Sequence, residues 1–171
     1  MKLYRIILVD DEEEVRKSII RKIKWEENGF LVAGDAENGE DALEKIEALE
    51  PDLILTDIRM PYMDGLTLAE RVRQKYPSMK IVIFSGYDDF EYAKQAIKLN
   101  VTEYILKPVN VEELTAILQK IKANLDQEIE QKRNVNLLRE NYIKSLPILR
   151  EQFLNELVNA PVSFELVEAR L

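Results

Sequence analysis

Hydrophobic and polar positions fall in blocks along this chain, and the spacing within the blocks switches repeatedly between strand-like and helix-like. Ile6-Ile7-Leu8-Val9 is a short β-branched run, which predicts a buried strand. From Glu13 to Trp25 the apolar residues Val15, Ile19, Ile20 and Ile23 recur at helical spacing. Phe30 to Ala36 predicts a second strand. Gly39 to Leu49 predicts a helix with Ala42, Leu43, Ile46 and Leu49 on one face, stopped before Pro51. Leu53-Ile54-Leu55 predicts a third strand, Leu66 to Tyr76 a helix, Lys80 to Ser85 a fourth strand, Asp89 to Leu99 a helix, and Glu103 to Lys107 a fifth strand. A last helix starts near Asn110. Asn100 follows a helix end, where a left-handed residue is expected and Asn is the best non-glycine choice.

Strand and helix thus alternate five times within about 125 residues. Strands joined by helical crossovers predict a parallel sheet with helices on both faces, a doubly wound α/β domain. In such sheets the functional site lies beyond the carboxyl ends of the strands.

After Leu125 the pattern changes. Asp126 to Asn134 (DQEIEQKRN) holds one apolar residue, Ile129, and predicts a solvated helical linker. A stripe then resumes at Leu138, Tyr142, Leu146, Leu149, Phe153 and Leu157. Pro147 is expected to interrupt this helix, with Ser145 as the N-cap of a restart. No internal repeat or low-complexity segment is evident. The expected organisation is a domain over 1–125 and a helical extension over 126–171.

Composition narrows the chemistry. The 171 residues carry 24 Lys and Arg against 32 Asp and Glu, a net charge of −8, and no basic run offsets it. Nucleic-acid binding needs clustered cations, so none is expected from this stretch alone. There is no Cys and no His. That removes disulfides, thiol nucleophiles, His-based general bases and His- or Cys-ligated metals, and leaves a hard cation held by oxygen. No segment approaches a transmembrane helix or a signal peptide, so no membrane association and a cytoplasmic location are expected.

Read together, the strand ends carry a constellation. Strand 1 ends in Asp10-Asp11, strand 3 ends in Asp57, strand 4 ends in Ser85-Gly86, and strand 5 ends in Lys107-Pro108. In a parallel sheet these ends share one edge. Three adjacent carboxylates repel unless a cation or protons offset their charge. Mg²⁺ typically takes one or two carboxylates, keeps waters and accepts a phosphate oxygen. Lys107 adds a compact positive charge and Ser85 a hydroxyl donor, and phosphoryl transfer asks mainly for such positioning and neutralisation. Singly each residue has a bland reading: the acid pair as a helix cap, Asp57 as a turn, Ser85 as a capping hydroxyl, Lys107 as a surface lysine. The conjunction at four strand ends is much harder to obtain by chance.

The segments IILVDDEEEV, LILTDIRMPYMDGL, KIVIFSGYDDF and YILKPV closely resemble the receiver domains of two-component response regulators, over residues 4 to about 125. The resemblance implies a flavodoxin-like sheet of order 2-1-3-4-5. It implies Asp57 as phosphoacceptor and an acidic Mg²⁺ pocket of Asp10 and Asp11, with Asp11 the more direct ligand. The backbone carbonyl of Arg59 would be a further ligand, and Ser85 and Lys107 would contact the phosphoryl group. Tyr104 matches the aromatic that rotates on activation; otherwise it is an ordinary strand tyrosine with its hydroxyl in water. The Lys107–Pro108 bond is expected to be cis. Ser85 stands where many receivers have Thr, and Asn100 where this group often has Gly.

TDIRMPYMDGL, SGYDDFEYAKQAIKLNV and YILKPV resemble the YesN/AraC-type group, whose members usually continue into a helix-turn-helix domain. The expectation is therefore an N-terminal fragment of a transcription regulator, or an unusually short member of the group. It would be phosphorylated by a sensor histidine kinase and would dimerise through the extension, with DNA bound by the full-length protein. It is a switch rather than a turnover enzyme. Other readings are a phosphorylation-independent degenerate receiver, a haloacid-dehalogenase-type phosphatase and a flavodoxin-like cofactor binder. The phosphatase needs a second Asp where Arg59 stands, and no Gly-rich phosphate loop follows strand 1 to serve the cofactor binder.

Overall fold

The structure is a computed structural model and describes residues 2–86 and 90–159. Five parallel strands form one sheet: β1 (Tyr4–Val9), β2 (Phe30–Ala36), β3 (Leu53–Asp57), β4 (Lys80–Ser85) and β5 (Glu103–Leu106), in the order β2-β1-β3-β4-β5. The connecting helices are α1 (Glu13–Lys22), α2 (Gly39–Leu49), α3 (Gly65–Lys75) and α4 (Phe90–Lys98), and α5 (Val111–Asn159) follows β5. The expected doubly wound α/β fold and strand order are those observed.

The central strands are apolar because both of their faces are covered. Ile7, Val9, Ile54, Ile81 and Ile83 pack with Ala42, Ile46, Leu68, Ala69, Val72 and Ala96 from α2, α3 and α4. The alternate strand residues Leu8, Leu55, Val82 and Phe84 are also buried, as are Ile19 of α1 and Leu114, Leu118 and Ile121 of α5. Side chains alternate along a strand, so these form the core of the second face.

Several element ends differ from expectation. The helix expected to reach Trp25 ends at Lys22, because Ile23 turns to extended backbone and the Trp25 indole Nε1 donates to the Ile20 carbonyl at 3.0 Å. A side chain thereby takes an acceptor that a further turn of helix would have used. β3 ends at Asp57 as expected, paired with Phe84, whereas β5 stops at Leu106, one residue before Lys107. Asp89, the expected start of the fourth helix, lies outside the described residues. Asn100 is left-handed as expected, with φ 54°.

The chain divides into two compact units, Met1–Asn124 and Leu125–Leu171. Within the second, the segment 126–134 is helical and largely exposed, and the helix passes through Pro147 without a break. The expected interruption does not occur. Ser145 is no N-cap; its hydroxyl donates back to the Tyr142 carbonyl at 2.8 Å, a mid-helix pattern. Proline removes one amide bond, and an exposed helix leaves the freed carbonyl to water.

Candidate functional site

Sheet register builds the site. Val9 pairs with Thr56 and Asp57 with Phe84, so Asp10 and Asp57 meet at one edge. Ser85 pairs with Leu106, and the next residue, Lys107, donates its amide to the Ser85 carbonyl at 2.7 Å. The Lys107–Pro108 bond is cis. Asp10, Asp57 and Ser85 are buried, while Asp11 is exposed. Carboxylate oxygens of Asp10, Asp11 and Asp57 lie within 4.8 Å of one another.

Lys107 closes this group. Its Nζ donates to Asp10 Oδ2 at 2.9 Å and stands 3.4 Å from Asp57 Oδ2. Asp10 Oδ1 accepts the Glu12 amide at 2.9 Å, and Asp57 Oδ1 accepts the Ile58 amide, also at 2.9 Å. Glu12, not either aspartate, occupies the N-cap position of α1. Burial pushes the Asp57 carboxyl above its ordinary range; Lys107 opposes that rise and Asp10 adds to it. Burial disfavours the Lys107 ammonium, but Asp10 and Asp57 outweigh it and raise its pKa. Three carboxylates against one ammonium leave an excess of negative charge, and an all-oxygen donor set with one exposed member suits a hard divalent cation.

Three supporting residues were given no role by the sequence reading, although Thr56 and Gly65 lie within the segment LILTDIRMPYMDGL. Arg16 donates to the Asp10 carbonyl at 2.6 Å and to Asp35 Oδ2 at 2.7 Å, tying β1, α1 and β2 together beneath the acid pair. Thr56 Oγ1 donates to the Asp57 carbonyl at 2.9 Å. Gly65 sits so close to β3 that a Cβ there would fall 1.9 Å from the Asp57 carbonyl oxygen.

The remaining candidates lie around this centre. Arg59 follows Asp57 in the β3–α3 loop, with its guanidinium 5.7 Å from the centre of the Tyr92 ring. Tyr104 pairs with Ile83 in the sheet, and its hydroxyl is not in water: it is buried, with no hydrogen-bond partner among the described residues. Next to Lys107, a groove of about 530 Å³ runs between α1 and the segment after the cis bond, walled by Val15, Ile19, Ile23, Pro108, Val109 and Leu114.

Comparison with known proteins bears on this arrangement. Residues 6–119 match the response regulator receiver domain family. The transcriptional regulatory protein YesN of Bacillus subtilis is 37% identical over 158 residues, covering 91% of this chain and 42% of that protein. HptR of Staphylococcus aureus is 31% identical over 157 residues, covering 92% of this chain and 61% of that protein. The chain therefore spans about two fifths to three fifths of the length of these relatives. Among solved structures, the receiver domain of AraT from Geobacillus stearothermophilus superposes with a TM-score of 0.70 at 39% identity, covering 74% of this chain and 98% of that one. A two-component transcriptional regulator AraC from Clostridium phytofermentans gives 0.67 at 35% identity, covering 73% and 98%. With the sheet order, the acid cluster and the strand-end lysine in agreement, the chain belongs to the response regulator receiver domain family of two-component signalling.

Proposed function

We propose that Asp57 accepts a phosphoryl group from a phosphohistidine of a sensor kinase. The observation that carries this is the meeting of Asp57 with Lys107 at 3.4 Å inside the cluster Asp10, Asp11 and Asp57. The Asp57 carboxylate attacks phosphorus, the new P–O bond forms, the P–N bond to the donor imidazole breaks, and the imidazole leaves with the bonding pair. Lys107 neutralises a phosphoryl oxygen and Ser85 donates to another. Asp10, Asp11, Asp57 and the Arg59 carbonyl would hold Mg²⁺, which when bound supplies charge neutralisation between the carboxylates and the phosphoryl group. The charge added at Asp57 draws Ser85 toward it, and Tyr104 reports the change to the α4–β5–α5 face, a two-state element biased by a local charge. The chain hydrolyses its own acyl phosphate and is no turnover enzyme.

The apolar groove beside Lys107 is the surface we assign to the phosphodonor protein, since among the described residues it is a large apolar recess that adjoins the reacting centre. The whole protein would work in the cytoplasm as a transcription regulator, with DNA bound by residues beyond 171, and residues 126–171 would pair two copies. The stretch 1–171 itself binds no specific DNA, in keeping with its charge of −8.

Acetyl phosphate with Mg²⁺ tests the central step. One hydroxylamine-labile phosphoryl group per wild-type chain, absent from Asp57→Asn, is the expected result. Acetyl phosphate consumption with no labelled chain accumulating, or equal labelling of the variant, overturns the assignment. Labelling of neither protein indicates a phosphorylation-independent module.

A further inference from the structure

Contrary to the expectation of no internal repeat, α5 carries one. Residues 135–145 (VNLLRENYIKS) and 146–156 (LPILREQFLNE) align without a gap. Leu138-Arg139-Glu140 recurs as Leu149-Arg150-Glu151, Tyr142 recurs as Phe153, and Val135 as Leu146 and again as Leu157. The period is eleven residues. All of these positions lie on described helix, and the apolar ones are between 42% and 68% exposed.

Helical phase shows what the repeat does. At 100° per residue, Val135, Leu138, Tyr142, Leu146, Leu149, Phe153 and Leu157 fall in one stripe about 100° wide. A seven-residue repeat started at Val135 would instead place Ser145, Gln152 and Glu156 in the seam. Eleven residues in three turns is about 3.67 per turn, close to a relaxed helix, so two such helices run side by side nearly straight or with a slight right-handed twist.

We propose that this stripe is the seam on which a second copy of the same helix seats, over residues 135–157. The inference rests on the pairing put forward under Proposed function and gives it a register. The same period also brings Leu137 onto Ile148 and Ile143 onto Leu154, so it is the unbroken run of seven apolar residues along one helical phase that a long helix alongside matches and a groove on a globular partner does not require. The charge balance points the same way. Although the chain carries −8, the segment 135–159 has Arg139, Lys144 and Arg150 against Glu140, Glu151 and Glu156, so its net charge is zero. Two copies therefore meet there without net repulsion. From their exposures, the seven stripe residues offer roughly 700 Å² per helix, about 1,400 Å² for two, the size of a specific stable interface.

Light scattering on the 171-residue chain tests the seam. The wild type, 20.0 kDa as a monomer, should run at twice that mass. Tyr142→Lys with Phe153→Lys should run as a monomer. Leu137→Lys with Ile148→Lys changes residues just as exposed, at 54% and 60%, but roughly opposite the stripe, and should remain dimeric. A monomeric wild type at 100-fold the concentration used for the variants overturns the pairing and the seam together. A dimer that survives the stripe changes, or that dissociates with the opposite pair, overturns the seam and leaves the pairing standing.

Discussion

Gly65→Ala perturbs the site from behind. Gly65 is the first residue of α3, its amide donates to the Ile58 carbonyl at 2.8 Å, and its backbone is not left-handed. Space, not conformation, demands glycine. A Cβ would sit 1.9 Å from the Asp57 carbonyl oxygen, 2.9 Å from its carbon and 3.1 Å from Ile58 Cα, all backbone atoms that no rotamer change can remove. Reaching even 3.0 Å requires the helix start and the end of β3 to separate by more than 1 Å. Overpacking of this kind costs about 1–3 kcal/mol, and the better helix propensity of Ala returns up to about 1 kcal/mol. A net loss of about 2 kcal/mol lowers the melting temperature by roughly 6–8 °C for a domain of this size. Asp57 also moves, and a displacement of about 1 Å at a reacting group can cost on the order of 100-fold in rate. Calorimetry and acetyl phosphate labelling measure the two effects. Gly34→Ala is the control, because its new Cβ meets only the flexible end of Leu49 at 3.1 Å. If Gly65→Ala melts and labels like the wild type, the close approach does not constrain the site and the reasoning fails.

Asp57→Asn should stabilise the metal-free protein at neutral pH. Burial raises the Asp57 pKa in the folded state, so the stability it contributes is present below the unfolded value and is lost as pH rises through the folded one. Melting curves from pH 4 to 8 in a chelator should show that loss in the wild type and not in the variant; parallel pH profiles refute it. Tyr104→Phe removes a buried hydroxyl with no partner among the described residues and should gain about 1 kcal/mol in urea unfolding, whereas a loss would reveal a hydrogen bond. Tyr62 holds a left-handed φ of 66° and is 85% exposed, so Tyr62→Gly should gain about 0.5–1 kcal/mol; an unchanged denaturation midpoint argues against strain there. Val15→Asp, in the groove beside Lys107, should slow phosphotransfer from the cognate kinase at least 10-fold while leaving labelling by acetyl phosphate unchanged; equal effects on both donors remove the groove from donor recognition.

Local pattern determined a great deal about this protein. β-branched runs at β1, β3 and β4 and helical stripes between them specified a doubly wound parallel sheet, because burial on both faces leaves no room for polar alternation. The ends of those runs marked Asp10, Asp11, Asp57, Ser85 and Lys107 as neighbours along one edge of the sheet. Asn100 announced its own left-handed turn. Tertiary structure decided what depends on contacts between distant residues. The Lys107 ammonium reaches Asp10 across 97 positions, and Arg16 bridges Asp10 and Asp35; no local spacing encodes either contact. The indole of Trp25 ends α1 early, and the backbone of Asp57 requires Gly65. Whether Tyr104 ends in water or in the interior depended on what packs around it. The eleven-residue repeat of α5 is written in the sequence, but its apolar positions share one stripe only because the helix continues through Pro147 and keeps one helical phase. Periodicity reports which face of an element is buried; register and packing decide which atoms meet there.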